Sequence, residues 1–387
     1  MINNFNKLLS PIYPFYNLYP IASCRYGIEI VLRTIVQKKK KVQSKLYVVL
    51  PAYTCQVVEN AILASGCLPL YCDINETDWS ISFSEFSKLL NQLKDQKKEI
   101  IAFIMQHTYG ITPVDRAKII KICELNNIDI IEDLAHCSHV FEYSSNLFDD
   151  NTTAIIGSFQ SSKSISAFQG GMLGIKKNDK ESNEIISSIL ANEKQSFSLR
   201  LLLAQIIDTS LNLIDIPFSS AKKIRSLISY FYKGMTYYEK KFIYLSYKKD
   251  FFRRGKANFI TILFINIALF NLRRVNERRM RLCKIYSEKL PINNVIKSQI
   301  FNGNILILWP LINQMHKDIL INNVNNNIIS NWFTPNIFPN SSILNINNNG
   351  IFPNAEKLSS NSSSLHTNIS KLDEYKLKRI IKTFKIN

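Results

Sequence analysis

No apolar run in this sequence is long enough to cross a bilayer. The greasiest stretch, Phe259–Phe270 (FITILFINIALF), covers 12 residues against the roughly 20 that a spanning helix needs, so it predicts a buried helix. The N-terminus, MINNFNKLLSPIYPFYNLYP, has neither the basic leader nor the apolar core of a secretion signal. The seven cysteines are an odd number without paired spacing, and Cys67, Cys72 and Cys123 sit in apolar surroundings. Reduced thiols in a cytoplasmic protein are the simplest account and are expected. The order Asp133, His136, Cys137, His139 lacks the spacing of a zinc site. No metal is expected there, and Cys137 and His139 read as packing residues. Internal repeats and nucleic-acid-reading modules are missing too.

Negative charge is scarce. Thirty acidic residues face 48 lysines and arginines, a net charge of +18 over 387 residues. Such an excess attracts nucleic acid, anionic membranes or phosphorylated substrates. The basic residues are spread widely, with short clusters at Lys38–Lys41, Arg253-Arg254 and Arg273–Arg281, and Asn and Ile crowd the chain after Phe301. A general compositional bias plus a phosphate-bearing ligand accounts for this better than a nucleic-acid surface, and no nucleic-acid partner is expected.

What is present is a rhythm of strands and helices. Tyr26–Gln37 carries apolar residues at Ile28, Val31, Leu32 and Ile35, the spacing of an amphipathic helix. Apolar runs at 46–50, 68–72, 100–105, 128–131 and 154–156 predict buried strands, separated by helical patterns at 56–64, 85–93 and 116–126. Alternation of this kind gives an α/β fold with a mostly parallel sheet covered by helices. Leu201–Ile214 and Ile224–Phe242 read as apolar helices with scattered Lys and Arg, expected to pack, with a cleft cover, dimer contact or peripheral membrane contact as their alternatives. A long helix over Asn258–Lys289 then leads into a smaller α/β region, with strands near 305–311 and 328–333 and a final helix at 373–383. The expected domains are a large one over 1–195, a helical insertion over 196–255 and a small C-terminal one over 256–387.

Two strand ends carry the chemistry. The run Ile128–Ile131 delivers Glu132-Asp133, and 30 positions after Asp133 (163 − 133) Lys163 follows Ala154–Ser158 in a small polar loop. Open α/β sheets hold ligands beyond the carboxyl ends of their strands, so Asp133 and Lys163 are expected to face one pocket. An acid that keeps a heterocycle protonated and a lysine able to form a Schiff base are what pyridoxal 5′-phosphate (PLP) requires. Ser23-Cys24-Arg25 lies at the start of the first long helix, where free N–H groups and the positive dipole end favour an anion.

Seven blocks, in order, resemble the DegT/DnrJ/StrS family of PLP-dependent sugar aminotransferases. They are Ser23–Gly27, LPAYTCQVVENAILASGCLPLYCDIN, MQHTYGI, IIEDLAHCSHV, IIGSFQSSKSISAFQGGML, NFITILFINIALFNLRRVNERRMRLCKIYSEKL and FPNAEKLSSNSSSLHTNISKLDEYKLKRI. The resemblance implies the aspartate-aminotransferase type fold (fold type I). It places Lys163 on the lysine that binds the cofactor covalently and shuttles the proton, and Asp133 on the acid paired with the pyridine nitrogen. Ser158 and Ser23 fall on phosphate-holding positions, with Cys24 and Arg25 beside them; Arg25 stands where the family commonly has threonine. His136 occupies the place of a glutamine bonded to the cofactor hydroxyl. Gly170-Gly171 fits the tight turn after the lysine loop. His107 and Tyr109 lie in a turn beside the cofactor and are assigned to substrate. Cys55 stands where many members stack an aromatic on the ring, so Tyr53 is expected to take that task. Asn258 aligns with a loop offered to the adjacent subunit.

The implied activity moves an amino group from an amino acid, expected to be glutamate, to a keto sugar carried on a nucleotide, for surface polysaccharide or antibiotic sugar assembly. A homodimer with shared active sites is implied. PLP-dependent sugar dehydration is the alternative, against which Lys163 argues, because dehydrating relatives tend to carry histidine there. A binding or regulatory protein using its basic surface is a third reading, and the intact Lys163–Asp133 pair argues against it.

Overall fold

A computed structural model describes residues 2–39, 45–94, 99–137, 152–160, 163–193, 199–214, 254–311, 352–361, 363–367 and 369–381. It also describes 217, 220–221, 223–224, 227–228, 318, 320 and 329–330. Most of the Ile224–Phe242 helix, most of the 328–333 strand and His139 lie outside these residues.

In chain order the elements are α1 (Ile2–Leu9), β1 (Tyr16–Ile21), α2 (Cys24–Lys38), β2 (Leu46–Pro51), α3 (Gln56–Ala64), β3 (Leu68–Cys72), α4 (Phe83–Lys94), β4 (Glu99–Gln106), α5 (Arg116–Leu125), β5 (Asp129–Asp133), β6 (Ala154–Ser158) and β7 (Gly171–Lys176). They continue with α6 (Lys180–Asn192), α7 (Leu199–Leu213), α8 (Phe259–Phe270), α9 (Leu272–Lys289), α10 (Asn294–Phe301), β8 (Leu308–Leu311), β9 (Ile329–Ser330), α11 (Pro353–Asn361), β10 (Ser363–His366) and α12 (Lys371–Ile381).

Seven strands form one sheet in the order β1-β7-β6-β5-β4-β2-β3. β3, β2, β4, β5 and β6 run parallel, while β7 and β1 close one edge antiparallel. Parallel strands must be covered on both faces, which explains their unbroken apolar runs: β2, β6 and the interior of β4 are buried throughout. One core lies under α2 and α3, and another lies between β2–β5 and α4–α5. The α/β class expected from the sequence is thus the observed one. A second, antiparallel sheet orders β8-β10-β9, and Tyr286 of α9 packs edge-on to Trp309 of β8 beneath it.

The helix expected over Asn258–Lys289 is two helices. α8 and α9 meet at Asn271 with a bend of 50°. No proline or glycine is responsible. The Asn271 amide donates to the Ile267 carbonyl at 2.8 Å, competing for an acceptor of the last α8 turn. No single helix among the described residues is long and apolar enough to cross a membrane; the bent α8–α9 pair passes only by joint length and composition.

The β4 and β5 strands are tied by a buried charge cluster. Glu132 is fully buried; one carboxylate oxygen bonds His107 Nε2 and the other takes Arg116 Nε and Nη2 at 2.9 and 2.6 Å. Burial pushes the Glu132 carboxyl up, but His107 and Arg116 overcome it and hold it below the usual range. Its stabilisation is therefore whole above the ordinary value of 4.5 and is lost as pH falls from there through the depressed folded value. Glu132→Gln should lower the unfolding free energy at neutral pH by about 3–5 kcal/mol, read by urea denaturation. The wild type should lose stability as pH falls below 4.5, and the variant should show no corresponding loss.

Candidate active site

The carboxyl ends of β5 and β6 open on a cleft against the N-termini of α2 and α3. Among the described residues it is lined by Cys24 and Arg25 of α2, Cys55, Val57 and Val58 at α3, Gln106 of β4, and Asp133, His136, Ser158, Gln160 and Lys163. The topology thus brings Asp133 and Lys163 to one pocket from two neighbouring parallel strands, where a ligand is expected in such a sheet.

Asp133 ends β5 with its side chain buried, accepting the Ala135 N–H at 2.9 Å. Burial pushes its carboxyl up; the Ala135 N–H, Lys163 and His107 offset that only in part. A cationic ring N–H placed against it would restore the ionised form. Lys163 Nζ lies 3.1 Å from His136 Nε2. The Nδ1 atom of His136 faces the Tyr109 N–H at 3.2 Å. Accepting there, the neutral ring carries its proton on Nε2, which faces Lys163 Nζ and can donate to it only when that amine is neutral. Burial, and after it the charge of Lys163, pushes His136 well below the usual imidazole range, so it stays neutral at ordinary pH.

The anion end of the cleft is built from backbone. Ser23 caps α2, its Oγ accepting the Tyr26 N–H at 3.2 Å. This leaves the first turn of a 15-residue helix facing the cleft through Cys24 and Arg25. The turn can sit there because Gly171 has no side chain: a Cβ would lie 2.7 Å from Cys24 N and 2.8 Å from Ser23 C. Gly170 ahead of it has φ +109°, a conformation that favours glycine. A buried carboxylate without full charge compensation, a lysine, a helix-end anion site and Ser158 are the donor set that PLP calls for. The residues fit the group.

Not all expected site residues reach the cleft. Tyr53 is buried behind its wall, edge-on to Tyr109 and bonded hydroxyl to hydroxyl at 2.5 Å. Its hydroxyl thereby keeps a partner inside the core, and Cys55 with Val57 and Val58 forms the wall where Tyr53 was expected to stack. His107 is committed to Glu132, and Tyr109 is fully buried between Tyr53, Trp79 and His136; neither lines the cleft. Ser23 acts as a cap, and Asn258 caps α8, accepting the Thr261 N–H at 2.8 Å. Gln106 and Gln160 are lining residues that sequence reasoning passed over. Gln106 accepts the Thr54 hydroxyl at 2.5 Å and donates to Tyr53 O and Thr108 Oγ1; its place at the end of an apolar strand was the available signal.

The sheet order and this site define the class: a fold type I PLP-dependent transferase fold. Residues 18–198 match the model of the DegT/DnrJ/EryC1/StrS aminotransferase family. A GDP-perosamine synthase of Escherichia coli O157:H7 is 28% identical over 137 residues, 34% of this chain and 34% of that protein. The chain therefore matches about a third of that relative's length. Among solved structures, NtdA of Bacillus subtilis with bound cofactor PMP superposes with a TM-score of 0.66 at 14% identity, over 98% of this chain and 76% of that one. Helicobacter pylori PseC, an aminotransferase of pseudoaminic acid biosynthesis, gives 0.65 at 15% identity, over 98% and 90%. At such identities the two structures speak for the fold.

Gly171→Ala should push the first α2 turn from β7. The expected result is a loss of about 1–3 kcal/mol in stability and weaker PLP binding. Thermal melts and a fluorescence titration with PLP check both.

Proposed function

We propose that the protein is a PLP-dependent aminotransferase that moves an amino group from an amino-acid donor, glutamate in the simplest case, to a nucleotide-linked keto sugar. The observation that carries the reading is Asp133, Lys163 and His136 converging on one cleft with a helix-end anion site. The family match over residues 18–198 and the likeness to a GDP-perosamine synthase support an aminotransferase and a sugar acceptor. The positive balance of the chain suits a diphosphate-bearing substrate. A homodimer with Asn258 near the partner's site, a cytoplasmic location, and the division into 1–195, 196–255 and 256–387 belong to the same reading, as does a product destined for surface polysaccharide.

Bound PLP supplies the electron sink for a carbanion at the donor Cα. The chain's own residues do the rest. Asp133 would keep the ring nitrogen protonated, and the pairing would in turn keep its buried carboxyl ionised. The N–H groups of the first α2 turn, the Arg25 guanidinium and the Ser158 hydroxyl would hold the phosphate. His136, neutral and with its proton on Nε2, would donate to the phenolic oxygen. Lys163 Nζ would hold the cofactor covalently and, once the donor amine has displaced it, would be the base and acid that moves the Cα proton in the 1,3-transfer; the steps would reverse on the keto sugar. The side of the cleft walled by Cys55 and Val58 leaves a smaller, apolar surface against the ring than an aromatic would.

Borohydride reduction of protein incubated with PLP should leave a mass adduct on Lys163, and glutamate added first should suppress it. Lys163→Ala should show no adduct and lose about 10³-fold or more in turnover. Asp133→Asn should keep the adduct but lose about 10²-fold or more. An adduct elsewhere, or none in the wild type, would sink the proposal.

A further inference from the structure

The lysine loop is held from outside the cleft by three helices. Arg279 of α9, buried, donates from Nη1 to the Ser164 carbonyl at 2.5 Å. Asp208 of α7 accepts the Ser166 hydroxyl on Oδ2 at 2.7 Å. Gln205, one turn earlier on α7, donates to Thr261 Oγ1 at 3.1 Å and to the Ala167 carbonyl at 3.4 Å, and Gln169 of the loop donates to the same Thr261 oxygen at 3.2 Å. The loop immediately after Lys163 is therefore gripped at the Ser164 and Ala167 carbonyls and at the Ser166 side chain.

The α7 side of this grip is unusual for its burial. Gln205 and Asp208 are 0% exposed, whereas Leu203 and Ile206 on the same helix are 52% and 43% exposed. Docking driven by apolar burial would turn the helix the other way. Ala204 and Leu211 supply the apolar part of the contact, next to Phe168. Phe168 itself holds a positive φ of 66°, an outlier conformation for a bulky residue that persists only where neighbours enforce it. The buried polar set and the strained loop residue face each other.

We propose that α7 is a positioning element for the lysine loop, and that Asp208, acting through Ser166, is the positioning residue that fixes Lys163 for reaction. The proposal rests on the reading of Lys163 as the cofactor-binding lysine. Asp208 touches neither cofactor nor substrate; it sets where the loop places the amine. The inserted segment thereby gains a task inside the reaction rather than on the surface.

The test combines hydrogen–deuterium exchange of residues 163–170 with the rate of borohydride-trapped PLP attachment, on full-length wild type, Asp208→Ala, Asp208→Asn, Ser166→Ala and the Ser166→Ala/Asp208→Ala double variant. Removing a hydrogen bond to a buried charge should speed loop exchange about tenfold or more, and slow attachment in parallel. Asp208→Asn, which keeps an acceptor oxygen, should recover much of both. The double variant should be no worse than Asp208→Ala alone. Ile206→Ser, on the outer face of α7, should leave exchange unchanged. Ser166→Ala decides the matter if Asp208→Ala fails to fold. A lowered melting temperature with wild-type loop exchange and attachment rate would overturn the proposal, as would additive losses in the double variant. Absence of trapping in the wild type would instead overturn the functional reading, while the exchange measurement still decides the role of α7.

Discussion

Successive residues of a β-strand point to opposite faces, and at the end of β5 that constraint separates two carboxylates. Glu132 turns into a closed cluster with His107 and Arg116, where its charge is spent on holding β4 to β5 and α5. Asp133 turns into the cleft with its burial only partly compensated. One carboxylate is structural because it is fully paired; its neighbour is available for a ligand because it is not. Moving the register by one residue would exchange the two, leaving the cleft with the wrong acid and the core with an unpaired one.

Around this pair, the turn after β4 sets the proton on His136. Tyr109 sits at φ 56° and Gly110 at +98°, so the chain reverses sharply and aims the Tyr109 N–H at the imidazole. Gly110 allows it: a Cβ there would lie 2.5 Å from the Ile305 carbonyl oxygen. The Tyr109 carbonyl in turn accepts the Ile307 N–H at 2.9 Å, just ahead of β8. The residue that fixes the histidine tautomer also anchors the approach to the second sheet.

Much of this was legible in the sequence, because parallel strands buried on both faces write themselves as unbroken apolar runs. Asp133 and Lys163 stood out because each follows such a run at its carboxyl end. The rest was hidden for specific reasons. Tyr53 and Cys55 lie two residues apart in a turn, and only the tertiary bond to Tyr109 decides which one meets the cleft. The break at Asn271 depends on a side chain bonding its own helix, a feature helical periodicity does not register. α7 was misleading in kind: its Leu and Ile residues promised an apolar docking face, yet the polar face carries much of the contact with the lysine loop. Gln106 closes an apolar run as Asp133 does but has no charge to mark it, and Gln160 carried no pattern that set it apart.

The close approach of Gly171 to the start of α2 makes the anion site a property of the main chain. Peptide N–H groups are the same whichever side chains stand beside them, so selection on this corner falls on a missing methyl group and a helix cap. Positions 24 and 25 are then at liberty to drift, and an arginine in place of a hydroxyl residue at 25 changes the strength of the grip without dismantling it. Altering the one half-buried side chain at 25 would retune how tightly an anion could be held here, while the glycine behind it has no such latitude.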